Sequence, residues 1–162
     1  MEEINALKTD DDYQVFVLGS KMSFPYTLFA IHAWFVTINK GVVERWDIWG
    51  YKTKHKASWG FLHKDLYPPM VGVRKHFFSK PDLNVPRFKG KILQHLCGKE
   101  GSEVEKIVKF ISKSYEKYPF TEKYNMIMGP NSNTFPQWVM DHFPNSGLKL
   151  PFTAWGKNYK YE

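Results

Sequence analysis

The feature that most constrains the fold is a pair of aromatic and β-branched segments joined by a short turn. Phe29–Ile38 reads FAIHAWFVTI, Val42–Gly50 reads VVERWDIWG, and Asn39–Gly41 (NKG) separates them. Residues of these types favour strands, and a connection that contains Asn and Gly favours a tight reversal. The sequence therefore predicts a β-hairpin. A strand over Tyr13–Leu18 and an extended stretch over Ala57–His63 are predicted to flank it.

The second half of the chain carries the predicted helices. Ser102 and Glu105 form a capping box that begins a helix running to about Lys117. An apolar stripe after GPNSNTF predicts a last helix, capped by Asn133 or Thr134. The other predicted elements are a long Pro-rich loop over Leu66–Pro86, a short helix over Phe88–Cys97, a short strand over Tyr124–Met128 and an aromatic tail that packs back on the body. This order predicts a single α+β domain over residues 13–162, preceded by a flexible N-terminus at 1–12.

Composition and charge limit the class of protein. The 162-residue chain is 43% hydrophobic and 17% aromatic, which is typical of a globular domain with a real core. Its formal charge of +7 favours an acidic partner such as nucleic acid, an anionic membrane surface or an acidic polymer. No nucleic-acid-binding motif accompanies the lysines, so no specific nucleic-acid partner is predicted. The single cysteine, Cys97, excludes an intrachain disulfide.

The N-terminal residues and the apolar segments bear on where the protein acts. MEEINALKTDDD lacks the apolar core of a secretory signal. The most apolar window, Met22–Ile38, is interrupted by proline, histidine and hydroxyl residues and falls short of a membrane span. We therefore expect a soluble, cytoplasmic protein with no transmembrane segment.

Two polar residues are candidates for chemistry. His32 lies within an apolar strand, and Ser132 lies at the entrance of the last helix, where free N–H groups and the helix dipole stabilise negative charge. A nucleophile at a helix N-terminus, opposed by a strand histidine, can support acyl transfer. Both residues also have structural interpretations, since a strand histidine is usually packed and GPNSNT is a good helix cap. The other histidines show no metal-ligand spacing, so no metal or cofactor is predicted.

A third group is needed to orient the imidazole, and the hairpin register decides between two acids. With a three-residue Asn39–Gly41 loop, Glu44 shares the face of His32. A two-residue Lys40–Gly41 loop shifts the pairing by one residue and brings Asp47 to that face instead. The sequence alone leaves both alternatives open.

The motifs resemble an uncharacterised bacterial domain family. YPFTEKYNMIMGPNSNTF (Tyr118–Phe135), with FAIHAWFVTI and ERWDIWG upstream and LPFTAWGKNY downstream, is similar to the signature of that family. The resemblance covers most of the chain, and the Gly-Pro-Asn-Ser-Asn-Thr-Phe motif is its most specific part. Two positions depart from the signature: Asn158 stands where an aspartate is usual, and Trp155 where a smaller aliphatic residue is usual.

That family in turn is similar to the circularly permuted NlpC/P60 branch of the papain-like superfamily, which includes lecithin:retinol acyltransferase-like proteins. HAWF (His32–Phe35) matches the histidine strand of that branch. NSNTF (Asn131–Phe135) matches its Asn-Cys-x-x-Phe motif, with Ser132 in place of the cysteine. The resemblance implies an α+β fold in which a small antiparallel sheet or open barrel packs against helices.

The resemblance also implies a hydrolase or acyltransferase that acts on an amide or ester. Ser132 would be the nucleophile and His32 the general base, with Asp47 or Glu44 as the orienting acid. The remaining implied site residues are Asn131 and Asn133 as oxyanion donors, and Trp34 and Trp46 as rings of the substrate cleft. The substrates of the superfamily imply a small molecule, a peptide, a glycan or a lipid.

The replacement of cysteine by serine leaves a second interpretation. A cysteine thiol is partly ionised near neutral pH, whereas a serine hydroxyl must be activated by a base. A site evolved for thiolate chemistry is therefore weakened by serine unless the family has adapted to it. The alternative is a catalytically inactive papain-like module that binds a peptide, glycan or lipid in the same cleft.

Overall fold

The computed structural model describes residues 11–75 and 85–160. Its strands are β1 (Tyr13–Lys21), β2 (Ile31–Asn39), β3 (Val42–Ile48), β4 (Ser58–Trp59), β5 (Leu62–Lys64), β6 (Val71–Arg74), β7 (Arg87–Lys89) and β8 (Lys91–Gly98). Its α-helices are α1 (Glu103–Ser112), α2 (Ser114–Lys117) and α3 (Thr134–His142), and short 3₁₀ helices cover Tyr26–Leu28 and Pro144–Ser146.

Six strands form one sheet in the order β4-β5-β3-β2-β1-β8, and every neighbouring pair is antiparallel. β6 and β7 pair separately as a two-stranded antiparallel sheet. The predicted α+β class, with an antiparallel sheet packed against few helices, is therefore confirmed. The stretch predicted as extended over Ala57–His63 becomes the short β4–β5 hairpin.

The β2–β3 hairpin closes through a two-residue turn. Asn39 pairs with Val42, which leaves Lys40 and Gly41 as the turn. Both turn residues have positive φ, 45° and 87°, as a two-residue hairpin turn of the type that matches strand twist requires. The two-residue alternative is therefore the correct one, and it fixes which side chains of β3 share a face with β2.

The alternation of side chains along β2 gives the sheet two different buried faces. Ala33 and Phe35 point towards α1 and α3, and the Phe35 and Phe135 rings meet edge to face with centroids 6.1 Å apart. We call this the helix face, and it carries the larger apolar core. Trp34 and Val36 point the other way and pack with Met70 beside β6 and β7, on what we call the β6–β7 face. Burying each large apolar side chain contributes about 1.5–3 kcal/mol.

The short helix predicted over Phe88–Cys97 is wrong, because this segment forms β7 and β8. β8 pairs with β1 along one edge of the sheet, and its side chains are mostly half-buried or exposed. An edge strand of this kind carries little alternation, and residues such as Lys, Leu and Gln are compatible with either structure. Pairing with β1, which is more than seventy residues away in sequence, decides the outcome.

The helix predicted over Ser102–Lys117 is present in two pieces, α1 and α2, which divide at Lys113. Ser102 caps α1 as predicted, since its hydroxyl accepts a hydrogen bond from the Glu105 N–H at 3.2 Å. The strand predicted over Tyr124–Met128 is wrong, because this segment is a turn. The Asn125 side chain accepts hydrogen bonds from the next turn's N–H groups at 2.9 and 3.1 Å, which stabilises the turn over an extended strand.

Parts of two predictions lie outside the described residues. Residues 1–10 of the predicted N-terminal segment and residues 76–84 of the predicted Leu66–Pro86 loop are among them. The described part of that loop contains β6 rather than irregular chain alone. Across residues 11–75 and 85–160, no helix is long and apolar enough to cross a bilayer.

Candidate functional site

The helix entrance that carries Ser132 is tied to β2 by the side chain of Asn133. Beyond Phe35, β2 has no ladder with β3, so its outer edge at Ile31 and Ala33 is open. Asn133 occupies that edge: its Oδ1 accepts from the Ala33 N–H at 3.0 Å, and its Nδ2 donates to the Ile31 carbonyl at 2.8 Å. The amide therefore bonds β2 as a neighbouring strand would, on either side of His32.

The C-terminal tail holds the same entrance from the other direction. Asn133 Nδ2 also donates to the Trp155 carbonyl at 2.8 Å, and Thr134 Oγ1 donates to the Gly156 carbonyl at 2.8 Å. Gly156 has a positive φ of 83°, and a Cβ there would lie 2.2 Å from the Asn131 side chain. The prediction that the tail packs back on the body is confirmed, and glycine is required at its closest approach.

Ser132 lies in this entrance, where it is buried and its hydroxyl is free of hydrogen bonds to described residues. It is 5% exposed, one residue before the N-cap of α3. Within the described part of the chain, neither its hydroxyl nor its backbone N–H makes a hydrogen bond. It borders a cavity of about 20 Å³ that is also lined by Tyr26, Ile127 and Trp155. Such a cavity has room for one water-sized group.

Asn131 shapes the turn rather than facing outwards. Its Oδ1 accepts from the Asn133 N–H at 2.9 Å, and its Nδ2 donates to the Met126 carbonyl at 3.1 Å. Its own N–H donates to Thr134 Oγ1 at 3.0 Å. The side chains of Asn131, Asn133 and Thr134 are thus all used in structural hydrogen bonds, whereas the Ser132 hydroxyl in the middle of this group has free hydrogen-bonding capacity.

His32 lies on the β6–β7 face, between indole rings. Its ring centroid is 5.5 Å from that of Trp34 and 4.6 Å from that of Trp49. Its Nε2 is buried, lies 3.8 Å from Asp47 Oδ2 and has no hydrogen-bond partner among the described residues. That separation is too long for a hydrogen bond. Burial lowers the pKa of His32 below its usual value of 6.5, against the opposing effect of Asp47, so the ring is neutral at pH 7.

Asp47 is held mainly by Arg45. Its Oδ2 accepts from Arg45 Nε at 3.0 Å, Arg45 Nη2 at 2.7 Å and Trp49 Nε1 at 2.6 Å, while its Oδ1 is buried without a partner in the described chain. Burial alone would raise the pKa of Asp47, but Arg45 and His32 outweigh it and the pKa lies below 3.8. The carboxylate is therefore ionised and able to stabilise a positive charge on His32.

The two candidate acids end on opposite faces of the sheet. Asp47 shares the β6–β7 face with His32, as the two-residue turn requires. Glu44 pairs with Thr37 on the helix face, where it accepts from Trp46 Nε1 at 3.1 Å and Lys64 Nζ at 2.9 Å. The structure therefore brings Asp47, and not Glu44, to the histidine.

Trp34 and Trp46 are also separated by the sheet. Trp34 packs on the β6–β7 face, where its Nε1 donates to the Pro69 carbonyl at 2.9 Å and Arg45 covers its ring. Trp46 stacks with Trp59 on the helix face. Both indoles are fully buried, so they line no common cleft.

The Ser132 entrance and His32 are both located at the open edge of β2. Asn133 bonds the residues that flank His32, which places the helix entrance next to the histidine along the strand. The α3 body packs on the helix face, whereas the imidazole lies on the β6–β7 face. Within residues 11–75 and 85–160, no hydrogen bond joins the Ser132 hydroxyl to the imidazole.

A second serine–histidine pair is hydrogen-bonded, and sequence reasoning missed it. His63 Nδ1 lies 2.7 Å from Ser58 Oγ, and His63 Nε2 lies 3.1 Å from the Tyr51 carbonyl. Because a carbonyl can only accept, Nε2 carries the proton and Nδ1 accepts from the serine hydroxyl. Ser58 and His63 are cross-strand neighbours in the β4–β5 hairpin. The sequence predicted this segment only as an extended stretch, without the hairpin pairing that brings Ser58 and His63 together.

Comparisons with known proteins place the chain in a family without assigning a role. Residues 12–159 match the family described as Protein of unknown function (DUF3750). The chain belongs to this family. No curated protein and no solved structure matches it. The membership covers nearly the whole chain, including the Ser132 entrance and the His32 strand, and any function must be argued from the site itself.

Proposed function

We propose that this DUF3750 protein is a hydrolase or acyltransferase that acts on an amide or ester, with a site like that of the permuted NlpC/P60 proteins. Ser132 is the nucleophile, His32 the general base and Asp47 the residue that stabilises the charged imidazole. The observation that carries the proposal is the clamp of Asn133 on β2 at Ile31 and Ala33. This clamp ties the helix N-terminus that carries Ser132 to the two residues that flank His32, and it supports the proposal because His32 is a neutral imidazole that faces an ionised acid.

The reaction follows from these groups. His32 takes the proton from Ser132 Oγ as the oxygen attacks the carbonyl carbon and the carbonyl π electrons move to oxygen. The tetrahedral intermediate then collapses, and the imidazolium returns its proton to the departing amine or alcohol. A water or a second nucleophile releases the acyl group from Ser132 by the same steps, which gives hydrolysis or acyl transfer.

The oxyanion donors are supplied by the backbone. Both hydrogens of Asn133 Nδ2 are committed, to the Ile31 and Trp155 carbonyls, so this side chain has no hydrogen left for a substrate. The Ser132 N–H is free within the described chain and lies at the positive end of the α3 dipole. The cavity of about 20 Å³ beside Ser132 is large enough for the developing oxyanion.

Productive chemistry requires the serine and the imidazole to come within hydrogen-bond distance at the β2 edge. Catalytic hydrogen bonds often tighten only when substrate binds. A shift of the ring towards Asp47 would pair the unpartnered Asp47 Oδ1 with the unpartnered His32 Nε2 and would leave Nδ1 as the ring nitrogen that accepts the serine proton.

A fluorophosphonate probe tests the proposal, because it phosphonylates only serines activated as nucleophiles. Intact-mass and peptide mapping should place one adduct on Ser132. The adduct should vanish in Ser132→Ala and fall at least about a hundredfold in rate in His32→Gln. Ser58→Ala is the matched control, since Ser58 already bonds a histidine. If labelling persists in Ser132→Ala and is lost in Ser58→Ala, the nucleophile is Ser58 in the β4–β5 hairpin and not Ser132.

The second candidate is a catalytically inactive binding module, and a specific observation favours it. An open cleft of about 900 Å³ lies beside the Ser132 entrance and is lined by Phe152, Trp155 and Tyr159. A cleft of this size suits a ligand better than the small cavity at Ser132. A folded protein that takes no fluorophosphonate adduct on any serine would support this candidate and reject the enzyme.

A further inference from the structure

Large apolar side chains are exposed together at one end of the molecule. The most exposed are Phe152 at 89%, Leu28 at 78% and Met128 at 77%. We call the whole set the apolar rim; its members are Phe24, Leu28, Phe29, Ile127, Met128, Phe152 and Trp155. Most of the exposed large apolar side chains of the described residues belong to it. Concentration on one surface, rather than scatter, indicates an interaction site.

The rim is built by three loops that contact one another. Tyr26, between Phe24 and Leu28, meets Trp155 with ring centroids 6.5 Å apart. The backbone after the first loop bonds the third, because the Ile31 N–H donates to the Thr153 carbonyl at 3.1 Å. The open cleft is lined by Ile127, Met128, Phe152 and Trp155 together, which joins the second loop to the third. The rim is therefore a continuous surface.

Positive charge lines one side of the rim. Lys123, Lys157 and Lys160 line the cleft between its second and third loops. No aspartate or glutamate is among the described residues that line this cleft. Lys123 and Lys160 form no ion pair with other described residues, and the chain as a whole carries +7. An exposed apolar surface with lysines along one side is complementary to a layer that is negative outside and apolar beneath.

We propose that the apolar rim docks the protein on an anionic lipid bilayer, with its loop tips in the interface and its lysines at the headgroups. The proposal rests on the contacts between the three loops and on the absence of acids among the described residues that line the cleft between the second and third loops. Amphipathic surfaces of this composition bind membranes through buried apolar area together with attraction to anionic lipids. The docking does not depend on the chemistry at Ser132.

Charge and shape favour a bilayer over a second copy of the chain. Two rims placed face to face would bring the lysines of both clefts together without acids to balance them, which is unfavourable. A protein partner would also need pockets shaped to three separate loop tips. A fluid interface accepts such tips without matching pockets, and its anionic headgroups supply the opposite charge.

Sedimentation with lipid vesicles tests the proposal. The full chain is mixed with vesicles of phosphatidylcholine alone, or of phosphatidylcholine with about one third phosphatidylglycerol. Binding is expected to the anionic vesicles and to weaken as salt is raised. The same measurement on Ser132→Ala should give wild-type binding, which separates docking from the proposed chemistry.

Matched variants locate the docking surface. Leu28→Ser/Met128→Ser/Phe152→Ser removes one highly exposed tip from each loop and should weaken partitioning at least about tenfold. Val42→Ser is the control, because Val42 is 61% exposed but pairs with Asn39, which lies about 26 Å along β2 from Ile31. Lys123→Gln and Lys160→Gln should each cost about fivefold on anionic vesicles, whereas exposed Lys106→Gln on α1 should cost little.

Two results would overturn the proposal. The first is a folded wild-type chain, verified by circular dichroism, that stays in the supernatant with anionic vesicles. The second is a triple variant that binds vesicles as well as Val42→Ser does. Wild-type self-association in light scattering that the triple variant abolishes, without vesicle binding, would assign the rim to a second copy instead.

Discussion

At the scale of single residues, the buried Arg45–Asp47 ion pair is the most consequential contact on the β6–β7 face. Both side chains are fully buried, and Arg45 Nη1 also donates to the Pro68 and Val71 carbonyls at 2.6 Å. These bonds connect β3 to the chain around β6. Breaking a buried pair leaves an uncompensated charge, which costs more than the pair itself contributes.

We therefore predict that Asp47→Asn lowers the free energy of unfolding by about 3–5 kcal/mol, measured by urea denaturation. Glu44→Gln is the matched control, because Glu44 lies on the same strand but its pairing with Lys64 is partly exposed to solvent. Its loss should cost less than about 1 kcal/mol. Equal losses in the two variants would contradict the view that burial, rather than charge pairing alone, makes Asp47 important.

At the scale of elements, the Asn133 side chain hydrogen-bonds the start of α3 to the sheet. Replacing it by alanine leaves the Ala33 N–H and the Ile31 carbonyl without partners beside a buried strand. We predict that Asn133→Ala costs about 2–4 kcal/mol in unfolding free energy. Hydrogen exchange of the Ala33 amide should also speed up selectively, since that amide has lost its acceptor.

A control on the same helix separates the clamp from general effects on α3. Gln137→Ala removes only a bond between Gln137 Nε2 and Asp141, 2.8 Å long and exposed to solvent. It should change stability by less than about 0.5 kcal/mol and leave exchange at Ala33 unchanged. If Ala33 exchanges as slowly in Asn133→Ala as in the wild type, the edge of β2 is protected by something other than the clamp.

The contrast between these elements shows what sequence can predict here. The β2–β3 hairpin was predictable because its residue types and its turn are local signals. Its register was not, because NKG is compatible with turns of two or three residues. The bonds of Asn133 to Ile31 and Ala33 join residues at least a hundred positions apart, and asparagine before a helix reads equally well as a cap. β8 likewise forms through pairing with distant β1.

At the scale of the whole molecule, buried histidines link folding to pH. Burial lowers the pKa of His32 and His63 below 6.5, and the effect of Asp47 on each opposes it only in part. As pH falls below about 6.5, the unfolded chain binds protons that the folded chain resists. The unfolding free energy is therefore greatest above this pH. It falls as the pH decreases towards the lowered pKa values of the two histidines in the folded chain.

We predict that the unfolding free energy declines as the pH falls from about 6.5 to 5. Asp47 becomes protonated only at a lower pH, because its pKa lies below 3.8. Removing the titrating ring should flatten the decline, so the difference in unfolding free energy between pH 7 and pH 5 should shrink in His32→Gln. His55→Gln, at an exposed position, serves as the control and should keep the wild-type slope. The measurement is a series of urea titrations across this range. A decline that is the same in His32→Gln and in the wild type would mean that His32 takes up its proton as readily in the folded chain as in the unfolded one. That result would contradict a pKa of His32 that burial lowers.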